Sequence, residues 1–134
     1  MERRMKKIIL FSALIIMLGS VLHAAQFKVV KNLDDLNVKI LLDGEHPVVG
    51  ENYLNIFLSD SEGNTEADAK IRVTYSMPVM NGMEPMSHVV RAKSSGEGYR
   101  AKIDLAMPGN WDIGLNIKRN GKPKARTKFR LSVK

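Results

Sequence analysis

The chain has 134 residues, a formal net charge of +7 and no cysteine. That length supports one domain rather than two. The absence of thiols removes disulfide staples and thiolate metal ligands, so stability must come from an apolar core, which about 110 residues can supply.

The first residues do not read as part of that core. The opening "MERRMKK" sets four basic residues against one acid, and an uncharged apolar run follows over 8–22, ending in the small residues Ala24 and Ala25. A basic start, a short apolar stretch and a small-residue cleavage zone describe a secretory signal peptide. The run is shorter than the roughly 20 residues that span a bilayer comfortably. Residues 1–24 are therefore expected to be a signal peptide cleaved after Ala24, or, if uncleaved, an N-terminal anchor. Residues 25–134 are expected to form one exported domain. Arg3, Arg4, Lys6, Lys7 and Glu2 take +3 away with the segment, leaving a domain near +4.

The rest of the chain alternates like a β protein. Residues 26–30 are a weak first candidate strand. In 36–43, Leu36, Val38, Ile40 and Leu42 fall on one face. In 52–60, Leu54, Ile56 and Leu58 oppose Tyr53 and Phe57. Residues 69–76 alternate Ile71, Val73 and Tyr75 with Arg72 and Thr74. The pattern returns in 98–107 (Tyr99, Ala101, Ile103, Leu105), in 110–118 (Trp111, Ile113, Leu115, Ile117) and in 127–134 (Phe129, Leu131, Val133). Period-two patterning of this kind predicts half-buried strands, and no segment shows a useful helical period. "DSEGNTEAD" and "RNGKPK" carry turn chemistry, with Asn120-Gly121 a strong hairpin signal. "KSSGEGY" reads as a looser loop, and "SHVVRAK" as a further short strand. Six clear strands and a possible seventh predict an antiparallel β-sandwich, by default immunoglobulin-like, with Trp111 in its core.

Two features stand outside that pattern. The basic tail "KRNGKPKARTKFR" is expected to be a solvated edge hairpin, where lysine discourages edge-to-edge pairing. Aromatic residues do not interleave with its charges until Phe129, which argues against nucleic-acid binding. The stretch "MPVMNGMEPMSH" (77–88) holds four of the eight methionines, Met77, Met80, Met83 and Met86, each three residues apart, and ends on His88. Pro78, Gly82 and Pro85 break it into a loop between strands. Methionine fills irregular gaps, so packing is the plain explanation. Thioethers are also neutral, soft ligands that favour Cu(I) and need no deprotonation to bind it. His88 adds a harder nitrogen. Met107, in a second Met-Pro pair, could approach from another loop. His46 is another loop residue, but nothing in its own sequence context marks it as a ligand.

Three blocks, "LLDGEHPVVGENYLNIFLSDSEGN", "ADAKIRVTYSMPVMNGMEPMSH" and "GEGYRAKIDLAMPGNWDIGLNI", together resemble the YtkA-like domain, which is related to FixH-type proteins. The resemblance runs from the strand opener Gly50-Glu51-Asn52, through 69–73 and the Met77 to Met83 segment, to 98–111, and covers about residues 36–133. It implies an immunoglobulin-like sandwich at the cell envelope, associated with copper or other heavy metals and accompanying efflux or oxidase-assembly systems. The family segment often carries histidines between its methionines. Here Asn81 and Glu84 stand in the intervening positions, which weakens Cu(II) more than Cu(I).

No G-x-S-x-G elbow, H-E-x-x-H pair or glycine-rich phosphate loop is present, so an enzyme is not expected. The expected function is a periplasmic or cell-envelope protein that binds one copper, as Cu(I), with Met77, Met80, Met83 and Met86 as the first-choice ligands and His88 and Met107 as further candidates, of which only a few can hold one ion. It would serve as a metal chaperone, sensor or efflux accessory. Its expected partner is an envelope efflux or oxidase-assembly protein, with membrane contact only through residues 1–24. The competing expectation is a structural or adhesion module whose methionine loop touches a partner protein.

Overall fold

The computed structural model describes residues 26–79 and 81–134. The expected signal segment, its cleavage site and Met80 lie outside the described residues. Nine strands follow one another: β1 (Lys28–Leu33), β2 (Leu36–Leu42), β3 (Gly50–Asp60), β4 (Lys70–Ser76), β5 (Ser87–Arg91), β6 (Lys93–Ser95), β7 (Gly98–Leu105), β8 (Gly109–Lys118) and β9 (Ala125–Val133). They form two antiparallel sheets in the orders β1-β2-β3-β7-β6 and β5-β4-β8-β9. The chain passes from one sheet to the other after β3, after β5 and after β7, as an immunoglobulin-like sandwich does.

The alternation seen in the sequence is the alternation of burial. Val38, Ile40 and Leu42 of β2 meet Leu58, Ile56 and Leu54 of β3 in register, Leu36 stands opposite Asp60, and all seven apolar side chains are buried. Ile71, Val73 and Tyr75 of β4 close over them from the second sheet with Ile113, Leu115 and Ile117 of β8. Trp111 is fully buried. On the outer face of the first sheet, Arg100 lies 4.2 Å from the Tyr53 ring centre and Lys39 lies 5.1 Å from that of Phe57. These cations cover the two aromatic rings that face outward.

The strand count departs from the expected seven. Residues 93–95 are not a loose loop but the edge strand β6, which pairs with Gly98–Arg100 across a turn at Gly96, φ +58°. All three β6 residues are exposed, so there was no alternation to see, and the strand exists through backbone pairing alone. β1 is likewise an edge, and extends past residue 30 to Leu33.

Register sorts the connections into two ends. Gly50 pairs with Leu105 and Ser76 with Asp112. The β2–β3, β4–β5 and β7–β8 connections therefore gather at one end. β1 also starts there, with Lys28 opposite Leu41, and β9 finishes there, with Val133 opposite Gly109. The far end holds the β1–β2, β6–β7 and β8–β9 turns. It is tied by Arg119, a buried guanidinium bonded to Asp35 (3.0 Å) and Glu66 (3.5 Å). It is also tied by the Tyr99 hydroxyl, which accepts from the Ala69 N–H and donates to the Glu66 carbonyl.

Candidate metal centre

The methionine end is built outward from β4. Its inward series Ile71, Val73, Tyr75 continues beyond the strand to Met77, which is buried. The Met77 N–H donates to the Met86 carbonyl (3.2 Å), one step past the Ser76–Ser87 pair. Tyr75 stands opposite His88 in the same ladder. Residues two apart share a face of a pleated strand, so Tyr75, Met77, Met86 and His88 form a block on the inner face. His88, though exposed, lies against Tyr75 with ring centroids 5.0 Å apart and planes 26° apart. Stacking orients the imidazole and leaves its two nitrogens at the ring edge.

Met107 enters from the β7–β8 connection. It is partly buried against the core, and its carbonyl accepts the Trp111 indole N–H at 3.1 Å. Tyr75 packs beside Trp111, 6.2 Å between ring centres. Met77 reaches toward this side: a Cβ built on Gly109 would lie 2.6 Å from the Met77 Cε. Gly109, with φ +131°, thus leaves room for the end of the thioether side chain where any other residue would crowd it.

The expected ligands are therefore sorted by place. Met77, Met86 and His88 adjoin Tyr75 on the β4–β5 ladder and its extension, and Met107 adjoins Trp111 on the β7–β8 connection. Met83 is 42% exposed at the loop tip, just after Gly82 at φ +84°. The equal spacing of the methionines is not a repeat of one environment, because Met77 and Met86 close a ladder while Met83 sits in solvent. His46 is exposed on the β2–β3 connection at the same end. That connection is pinned by the buried Asn52, whose side chain accepts from the Val48 N–H and donates to the Val48 and Gly50 carbonyls.

The donor set is soft. Among the described residues no three His, Cys, Asp or Glu side chains come together to hold a hard cation. Neutral sulfurs with one imidazole suit Cu(I) and are poor ligands for magnesium or calcium. The chemistry of the residues thus fits copper.

A family model described as YtkA-like matches residues 31–116, well over half of the chain. The chain belongs to the YtkA-like family. The match takes in the second half of β1 and everything through most of β8, so Met77, Met83, Met86, His88 and Met107 of this YtkA-like domain lie within it, and β9 lies beyond it. No curated protein and no solved structure matches the chain.

The sequence does not mark two partners of the methionines as such: Gly109, and the stacking platform Tyr75, which reads there only as one residue of an alternating strand. The signal for Tyr75 lies in the sequence: the period-two series of β4 runs on to Met77, so both point inward, and "SHVVRAK" reads as a further short strand. Nothing local marks Gly109 as the counterpart of a methionine 32 positions earlier.

Proposed function

We propose that this YtkA-like protein is an exported, non-catalytic envelope protein that binds copper as Cu(I) at the methionine end. Met77, Met86 and Met107 would supply thioethers and His88 an imidazole nitrogen, with Met83 and Met80 as loop residues able to add a sulfur during capture. The observation that carries the reading is the inner-face block in which Met77 and Met86 adjoin the stacked His88, with Met107 entering beside Trp111. Bound there, Cu(I) would be the protein's cargo, in the role of a chaperone, a sensor or an efflux accessory. Residues 1–24 would direct export or anchor the domain, and a membrane efflux or oxidase-assembly protein would receive the metal.

Native mass spectrometry with Cu(I) under reducing conditions tests this reading. Replacing Met77, Met80, Met83 and Met86 with leucine keeps apolar volume and removes sulfur. Retained copper in the folded variant would exclude these four methionines as the site. N-terminal sequencing of the envelope fraction tests export.

A second reading has its own observation. Val48, Val49, Val79 and Met83 are 46%, 47%, 72% and 42% exposed, all on connections at this end. Such a cluster suits contact with a protein partner, as in a structural or adhesion-type module. Under that reading the leucine variant keeps its partner and the wild-type protein retains no copper.

A further inference from the structure

The outer face of the four-stranded sheet carries a groove of about 460 Å3, remote from the methionine loops. Across β5, β4, β8 and β9, the residues Arg91, Arg72, Asn116 and Arg126 are successive register partners and so share one face. Two residues toward the far end, Lys70 faces Lys118, and Lys124 precedes β9. These six cations and Asn116 line the groove, and no carboxylate does. All six are exposed, and among the described residues none of them is in an ion pair.

Protection of a sheet edge does not account for this arrangement. Lysine and arginine on β9 guard an edge, but β4 and β8 are interior strands with neighbours on both sides. There, Arg72 stands opposite Arg91 and Lys70 opposite Lys118. Like charges directly opposed on a sheet destabilise it. A row of cations that works against the fold, open to solvent and free of acids, matches an anion.

We propose that this groove binds a small, multiply charged oxyanion of the polyphosphate type, held by Arg72, Arg91 and Arg126. Guanidinium groups offer parallel N–H donors that match paired oxygens on phosphorus. Adjacent strands lie about 4.8 Å apart, so the arginine row spans about 14 Å across the sheet. A ligand must carry charge on several centres to use the whole row. Lys70, Lys118 and Lys124 add point charges along one side, and the Asn116 amide adds a donor in the middle. The volume falls within the range of small-ligand sites. No aromatic side chain lines the groove, so it offers no platform for stacking bases.

Isothermal titration calorimetry of the full chain with sodium tripolyphosphate tests the proposal, with orthophosphate as the comparison, at low salt and at about 150 mM salt. One tripolyphosphate per chain is expected, bound about tenfold or more tighter than orthophosphate. Arg72→Gln with Arg91→Gln should weaken binding about tenfold or more, while Lys28→Gln with Lys31→Gln, an equal charge loss on the other sheet, should change it less than about threefold. Without the anion, the arginine double variant should melt at a higher temperature than wild type, because a like-charge pair is gone. Arg126→Gln serves as an independent single variant and should weaken binding too. Absence of binding, equal affinity for the two anions, or equal losses in the two double variants would overturn the proposal, the last by showing that net charge alone attracts the anion.

Discussion

Met77 ends against Gly109, close enough that a Cβ added to the glycine would stand 2.6 Å from the Met77 Cε. Two costs are therefore separable at this position. The methionine tip is flexible and can move aside. The backbone cannot, because φ +131° is open only to glycine at low energy. Gly109→Ala should destabilise the domain by about 1–3 kcal/mol, read from the urea midpoint. Most of that loss should persist when Met77 is also alanine. Full recovery in the double variant would make the steric contact the whole cause and would refute the backbone account.

Met77 and Met83 should respond differently to truncation. Met77 is part of the buried core, so Met77→Ala should cost about 2–5 kcal/mol. Met83 is exposed, so Met83→Ala should stay within about 0.5 kcal/mol. Chemical denaturation of the two single variants checks the contrast. Equal losses would mean that the sorting of the loop methionines is wrong.

Copper binding should be visible from the chain's single tryptophan. Trp111 bonds to the Met107 carbonyl and lies beside Tyr75, which carries His88. Cu(I) held by Met77, Met86, Met107 and His88 should quench Trp111 emission. His88→Phe keeps an aromatic ring on Tyr75 and removes the nitrogen donors. It should leave the melting temperature nearly unchanged and lower copper retention. Unchanged retention would remove His88 from the site.

At the far end, the buried Arg119 is the group that most needs its partners. Its bond to Asp35 raises the guanidinium pKa and lowers that of the Asp35 carboxyl. Arg119→Met leaves two carboxylates that water can reach. Asp35→Asn leaves a buried cation whose remaining carboxylate, Glu66, lies at the longer distance of 3.5 Å. Removing one partner of a buried charge costs more than replacing the charge by an apolar side chain. Asp35→Asn should therefore be the more destabilising of the two in thermal melts; the reverse order would contradict this account.

Acid should act through Asp60 and Asp35. The Asp60 carboxylate accepts the backbone N–H groups of Asn64 and Glu62, each at 2.9 Å, which lowers its pKa below the ordinary 3.8. Asp35 is lowered by Arg119. A carboxyl with a depressed folded pKa binds protons more readily in the unfolded chain, so stability rises with pH through this window. Their contribution is complete above the unfolded value of 3.8 and is lost as pH falls through the lower folded values. Asp60→Asn should destabilise at pH 6 and converge on wild type in strong acid. A constant gap in urea midpoints across that range would exclude the linkage.

The sandwich was legible in the sequence because every interior strand is wet on one face and dry on the other. β2, β3, β4, β7 and β8 each show that period of two. The edges were harder to read. β6 has no buried side chain, and β1 buries only part of its alternate residues, so neither strand leaves a strong apolar rhythm. The methionine cluster was legible in composition but not in geometry. Spacing in threes drew attention to four equivalent sulfurs, whereas strand pairing makes Met77 and Met86 neighbours and brings Met107 in from another loop. The basic groove was read only as a hairpin tail, because Arg72 and Arg91 come from distant segments and meet Arg126 only through register across the sheet.

Strand register also decides how the protein can be handled. β1 begins and β9 ends beside the methionine loops, so a polypeptide fused to either strand sits next to the sulfurs. A polyhistidine tag there would bring competing imidazoles to the candidate metal site, and a surface attachment would press that end against its support. The β8–β9 turn at Asn120-Gly121 points the opposite way. A purification handle inserted there would leave the methionine end facing open solution.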